Sequence, residues 1–378
     1  MKFRVERDAL AEAVSWAARS VATRPTLPVL AGLLLSIQDD VLAVSGFDLE
    51  ASTEVELEVT AGAAGQALVS GRLLTEITKA LPPHPVDVTL EGARLTISCG
   101  SSRFSLPTMP VEDYPKLPTM PTTAGTVDSA EFATAVAQVA VAAGRDDTLP
   151  MLTGIRIEIA GEKLTMAATD RYRLAVRELV WSPSDPAAAA AQVLAPARTL
   201  ADAAKSLAQS ETLTISLAAG GAGEGIIGFS GASHGRASRA TTRLLDATFP
   251  AYRSLLPAEW SSAAEIAVPS LVEAVRRVAL VTDRSAPVRM EFAEGGVSLS
   301  AGGEDEGRAD EQLEVRYEGE PITTAFNPQF LLDGLGALQA PTARMLFTSA
   351  TKPVVLRPEA VPPTSEYTYL IMPVRLPG

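Results

Sequence analysis

Apolar residues fall three and four apart at Leu10, Ala13, Val14, Ala17 and Val21. That spacing gives an α-helix one buried stripe, so a helix is predicted over 5–21, ended by Pro25 and Pro28. The stripe recurs at Phe132, Val136, Val139 and Ala143, predicting a helix over 127–143 whose start is marked by Asp128 and Glu131. It recurs again at Leu271, Val275, Val278 and Ala279, with Pro269 suited to a first helical position. After each helix the period changes to strict alternation. Residues 32–37 and 41–45 flank Gln38-Asp39-Asp40. Ile155, Ile157 and Ile159 alternate with Arg156 and Glu158, and Ala160-Gly161-Glu162 turns the chain into 163–167. Residues 288–292 and 297–301 flank Ala293-Glu294-Gly295-Gly296. These are half-buried antiparallel hairpins. A second helix is predicted over 71–80, 196–209 and 327–338, each leading into more strands such as 86–90, 213–217 and 344–347.

The chain repeats itself. Leu27-Pro28-Val29-Leu30 returns as Leu149-Pro150-Met151-Leu152, and the Asp that follows each hairpin, Asp48 or Asp170, lies at the same offset (149 − 27 and 170 − 48 are both 122). Two landmarks at one spacing identify a repeated unit. Each unit has two helices and two sets of strands. The Pro-rich stretches 113–118 and 249–257 read as linkers between units. The expectation is an α+β chain of three domains, 1–122, 123–258 and 259–378, each with two helices packed on antiparallel sheets.

Composition narrows the function. The chain has 378 residues, 47% of them hydrophobic, enough for several cores, yet no long uninterrupted apolar run suggests a membrane span. The first residues alternate apolar and charged and lack the core of a signal peptide, and a single cysteine, Cys99, rules out an internal disulfide. A cytoplasmic protein is expected. The net charge of −13 speaks to solubility and leaves open where basic groups cluster. His84 and His234 stand apart from any nucleophile, and two histidines with one cysteine do not make a zinc site. Gly220 to Gly225 precedes a strand-like segment rather than the helix a phosphate loop needs. Glu304-Asp305-Glu306 with Asp310-Glu311 reads as an acidic loop without a Ca²⁺ ligand ladder. Asp48 and Asp170 are duplicated, which argues for backbone-satisfying residues where strands end rather than a catalytic pair. No catalytic set, metal site or cofactor motif is present, and a binding or structural protein is expected.

Several segments, in order, carry a resemblance. They are Met1-Lys2-Phe3, Arg24-Pro25-Thr26-Leu27-Pro28-Val29-Leu30, Ser102-Arg103-Phe104-Ser105-Leu106, Thr169-Asp170-Arg171-Tyr172-Arg173-Leu174-Ala175-Val176, Phe249-Pro250-Ala251-Tyr252, and Tyr369-Leu370-Ile371-Met372-Pro373-Val374-Arg375-Leu376. With them the chain resembles, over its whole length, the bacterial DNA polymerase III beta subunit family, the processivity sliding clamps. The resemblance implies a head-to-tail homodimer closed into a ring, with helices lining the hole and continuous sheets outside. It places Phe104 and Leu106 on one side of the dimer interface and Leu280 and Val281 on the other.

The helices carry the basic residues expected to face encircled double-stranded DNA: Arg19, Arg24, Arg72, Lys79, Arg145, Arg198, Lys205, Arg276 and Arg277. Such groups neutralise phosphate without reading sequence. The resemblance further implies a groove for short hydrophobic peptides of the DNA polymerase III alpha subunit, the clamp loader, other polymerases and repair proteins. Carried over position by position, the groove uses Leu152, Thr169, Arg173, Leu174, Pro250, Leu255, Asn327, Leu370, Ile371, Met372, Pro373, Val374, Arg375 and Leu376. Tyr172, Ser254 and Pro377-Gly378 depart from the family pattern and bear on partner preference. A clamp paralogue resistant to a groove-directed inhibitor, a DNA-independent scaffold and a repeat-built hydrolase are the alternatives.

Overall fold

A computed structural model describes residues 1–22, 25–185, 190–217, 225–233, 235–281, 283, 286–303, 307–359 and 366–375. Arg24, His234, Leu376, Pro377-Gly378, the acidic run 304–306 and all of the Gly-rich run except Gly225 lie outside these residues. The chain divides into two compact units. One comprises Met1–Ala133, Trp181–Ala189 and Arg198–Leu244; the other comprises Thr134–Val180, Ala190–Ala197 and Leu245–Gly378.

Among the described residues six helices follow the predicted stripes, trimmed at their ends, and one short helix, Pro150–Thr153, was not predicted. They are α1 (Arg7–Ala17), α2 (Gly71–Ala80), α3 (Ser129–Ala140), the short α4 (Pro150–Thr153), α5 (Ala197–Leu207), α6 (Val268–Val278) and α7 (Pro328–Leu338). Leu10, Ala13, Val14 and Ala17 of α1 are buried, as are Leu271, Ala274, Val275 and Val278 of α6. Val5, expected to be helical, ends the strand Lys2–Val5, and Val127 lies in the strand Thr123–Asp128. Each helix starts after an acidic residue, at Arg7 after Glu6 and at Ser129 after Asp128. Asp128 accepts the Glu131 amide at 2.7 Å, so the marked helix start is a real cap.

In the first unit one antiparallel sheet runs from Ser182–Pro183 through Thr123–Asp128, Thr212–Leu217, Ile226–Ser233 and Arg236–Arg243 to Ala51–Glu58. It continues through Val41–Phe47, Gly32–Gln38, Gly65–Ser70, Ser102–Met109, Arg94–Cys99, Val86–Glu91 and Lys2–Val5 to Thr60–Ala63. The first two repeats join within it, where Arg236–Arg243 pairs with Ala51–Glu58. The second unit has a sheet from Ala190–Pro196 through Gly154–Ala160, Lys163–Thr169, Arg173–Val180, Glu366–Ile371, Val354–Pro358, Thr342–Phe347 and Ser262–Ala267 to Arg316–Glu318. Here Arg173–Val180 pairs with Glu366–Ile371, joining the second repeat to the third. A smaller sheet holds Ala309–Glu314, Gly296–Ala301, Val288–Ala293 and Ile322–Phe326.

One expectation needs correcting, and two are refined. The linker 249–257 is packed down: Phe249 and Tyr252 are buried in a cluster with Leu174, Leu346 and Leu370. Tyr114 likewise anchors 113–118 against Phe47 and Leu68. A Pro-rich segment carrying a large aromatic gains more from burying it than from staying free. Asp310 and Glu311 lie on the strand Ala309–Glu314, not in a loop. Cys99 is buried at its strand end as expected, with its thiol within 3.3 Å of the Pro82 carbonyl.

Candidate functional site

The site in the second unit starts from one turn. Asp170 Oδ1 accepts the Tyr172 and Arg173 amides, both at 3.0 Å, and Arg171 takes a φ of 78°. The Thr169 hydroxyl donates to the Arg173 carbonyl at 2.6 Å. The first repeat builds the same turn: Asp48 accepts the Glu50 and Ala51 amides at 3.0 and 2.7 Å, and Leu49 takes φ 80°. Both duplicated aspartates therefore satisfy backbone, as the sequence implied.

The turn leaves Tyr172 58% exposed and tucks Arg173 down to 7%. Arg173 donates from Nε to Asp170 at 2.9 Å and from Nη1 to Asp333 of α7 at 2.5 Å. Its guanidinium lies 4.4 Å from the Phe330 ring centre, and Phe330 stacks on Tyr172 at 6.1 Å. Burial works against the charge on Arg173, but the Tyr369 oxygen and the Asp333 and Asp170 carboxylates outweigh it and hold the pKa above the ordinary value. Burial likewise raises the pKa of the Tyr369 hydroxyl, which donates to the Phe330 carbonyl at 2.7 Å. Gln329 donates to the other Asp333 oxygen at 2.7 Å. Asn327 caps α7 by accepting the Gln329 and Phe330 amides. Leu149, Leu152, Arg145, Arg171, Arg276 and Leu280 join these residues around an open cleft of about 1450 Å³.

The next residue along faces the other way. Leu174 pairs with Leu370 across the ladder and enters the cluster of Ala167, Val176, Phe249, Tyr252, Leu346 and Val355. Tyr252 is pushed up to about 12, mainly by burial, with Glu158 adding to it. Beyond Ile371 the chain leaves the sheet. The Met372 amide donates to the Tyr172 carbonyl and the Val374 amide to the Ala325 carbonyl, each at 2.8 Å. Leu255, Met372 and Val374 are 48%, 36% and 38% exposed.

The predicted groove residues thus separate by depth and by face. Leu152, Thr169, Arg173, Leu174, Leu370 and Ile371 are buried. Leu174 and Leu370 enter the buried cluster, whereas Ile371 pairs with Arg173 across the ladder. Pro250, Asn327 and Pro373 are half-buried, while Leu255, Met372, Val374 and Arg375 are exposed. Phe330, Asp333 and Tyr369, which fix Arg173, were missed. The only sequence signal was Gln329 and Asp333 one helical turn apart after a capped start.

Of the basic residues, Arg145, Lys79, Arg198 and Lys205 are exposed. Arg72 pairs with Glu76 at 2.9 Å and Arg276 with Glu273 at 3.1 Å. Arg19 donates to the Asp202 carbonyl at 3.0 Å. Arg277 makes a two-pronged bond to Glu311, at 3.0 and 2.6 Å. That bond holds the Glu311 carboxyl below its usual pKa.

On the strand Ser102–Met109, residues 102–107 pair with Arg94–Cys99, while only Thr108 and Met109 pair with Gly65–Ser70. One edge of this strand is thus largely open among the described residues. Phe104 is half-buried, and Leu106, 1% exposed, faces the core of its own chain. Leu280 is 82% exposed and Val281 half-buried. Among the described residues no group of three His, Cys, Asp or Glu could hold a metal, and no helix is long and apolar enough to cross a membrane.

The chain matches three family models in succession: the DNA polymerase III beta subunit N-terminal domain over 1–118, the central domain over 126–251 and the C-terminal domain over 253–375. It is 53% identical to the beta sliding clamp of Streptomyces coelicolor over all of both chains. It is 43% identical to the beta sliding clamp homolog GriR of Streptomyces muensis over 99% of each. Its fold matches the crystal structure of the Pseudomonas aeruginosa DnaN sliding clamp bound to griselimycin, with a TM-score of 0.88 and 26% identity over 100% of each chain.

Proposed function

The chain belongs to the DNA polymerase III beta subunit family, and from that premise we propose how its surfaces divide the work of a sliding clamp. It is a processivity factor of DNA polymerase and not an enzyme. The apolar surface around Leu255, Tyr172, Met372 and Val374, above the Leu174–Leu370 cluster, docks short hydrophobic peptides of the polymerase, the clamp loader and repair proteins. The observation that carries this reading is the exposure of Leu255, Met372 and Val374 on the two segments, 249–256 and 366–375, that supply Phe249, Tyr252, Leu256 and Leu370 to the Leu174 cluster. Apolar walls with few fixed polar groups set a peptide's direction. The griselimycin complex of the Pseudomonas clamp supports a ligand site in this family.

Each of the three repeats, 1–122, 123–258 and 259–378, is read as one domain. Exposed Arg145, Arg198, Lys79 and Lys205 supply contacts to DNA phosphates, and a head-to-tail homodimer closes through the Phe104 strand edge and the Leu280–Val281 end of α6. A cytoplasmic location follows from this work. The GriR homolog, at 43% identity, favours a second reading as a clamp paralogue that differs in partner or inhibitor response. The test is topological. Loaded by a clamp loader onto nicked circular DNA and isolated at moderate salt, the protein should stay on circles and be lost once they are linearised. Retention on both forms would show binding by contact and refute encirclement.

A further inference from the structure

The repeat offers an internal comparison. In the second unit Asp170 and Asp333 hold the Arg173 guanidinium, with Phe330 and Tyr369 packed around it. The offset of 122 carries Asp170 to Asp48 and Arg173 to Ala51. Superposing α7 on α5, both of 11 residues, carries Asp333 to Asp202 and Phe330 to Thr199 (328 − 197 = 131). The ladder pairs Leu174 with Leu370 and Ser52 with Thr241, which carries Tyr369 to Ala240 (370 − 241 = 129). Both carboxylates are therefore kept, while an arginine, a phenylalanine and a tyrosine become alanine, threonine and alanine. All five substitutes, Asp48, Ala51, Asp202, Thr199 and Ala240, line one open cleft of about 600 Å³ in the first unit.

The groups in this cleft are underused. Asp48 spends one oxygen on two turn amides, and among the described residues no ion pair to it is present. Among the described residues the ion pair to Asp202 comes from the rim residue Arg19, whose Nη1 is 3.7 Å from its carboxylate, with both side chains well exposed; Arg198 also lines the cleft. Trp16 also lines the cleft, where its indole reports on occupancy; its N–H, a donor like those of a guanidinium, makes no bond to one.

We infer that this cleft is a receptor for a guanidinium group, namely an arginine side chain presented by a partner peptide. The second unit shows how this turn-and-helix frame grips a guanidinium, and the first unit keeps both carboxylates with alanine at the strand position of that arginine. Two carboxylates approaching from different elements suit the planar fork of arginine better than the point charge of lysine. This inference stands apart from the docking of apolar peptides.

The test titrates the full chain with N-acetylarginine amide and, in parallel, N-acetyllysine amide, by calorimetry and by the NMR signal of the Trp16 indole. Saturable binding of the arginine compound is expected, with lysine and the D48N/D202N variant roughly tenfold weaker or worse. A51R should abolish binding by filling the cleft from its own strand, as Arg173 does. R19A should tighten binding by freeing Asp202. No saturable binding, equal binding of lysine, or binding unchanged in D48N/D202N would overturn the inference. That last variant preserves size and keeps the test decisive even where A51R fails to fold.

Discussion

Replacing Arg173 with Met keeps the length of the side chain and removes its charge. The structure sets the expected loss. Two charge-assisted hydrogen bonds end, to Asp170 and Asp333, along with the contact over Phe330. The carboxylates left behind are only 15% and 26% exposed, so water compensates them poorly. Removing one partner of such a buried pair costs about 3–5 kcal/mol, and the part-exposed Asp333 argues for the lower end. At about 2–4 °C per kcal/mol for units of this size, the transition of the second unit should fall by roughly 6–12 °C in calorimetry. Asp333→Asn removes the same bond from the other side. Because both changes delete one shared interaction, the double variant should fall short of the sum by about 1.5–3 kcal/mol. Additivity within about 0.5 kcal/mol would refute the claim that Asp333 anchors Arg173.

Two further outcomes are expected. Leu280→Asp touches an 82% exposed side chain, so folding of the single chain should be unchanged, while dimerisation should weaken about a hundredfold, as for about 3 kcal/mol of unpaired charge taken into an interface; an unaltered dimer in sedimentation equilibrium would exclude Leu280 from the interface. The Glu311 carboxyl, held low first by its bond from Arg277, should titrate below 4.5 by NMR, and Arg277→Gln should return it to an ordinary value. Because the folded pKa is the depressed one, this link is complete above the unfolded value and is lost as pH falls through the folded value. A titration midpoint unmoved by Arg277→Gln would remove the Arg277–Glu311 pair as its cause.

Local periodicity, read along the chain, determined the helices, the hairpins and the repeat, because each depends on side chains only a few residues apart. Leu10, Ala13, Val14 and Ala17 fix the buried face of α1 wherever it packs, and the 122-residue offset made the shared Asp48 and Asp170 turns legible. The resemblance then identified the family and named Arg173 and Leu174 together as lining residues. Only the tertiary structure could separate them. Neighbours on a strand face opposite sides of the sheet, so Arg173 turns to α7 and Leu174 to the cluster under Phe249 and Tyr252. The partners of Arg173 lie 160 residues away at Asp333, a distance that no local pattern encodes. The same holds for Leu106, whose alternating strand reads alike for a free edge and for a core, and for the cleft in the first unit. That cleft exists because Ala51, Thr199 and Ala240, drawn from two repeats, are small together in one place.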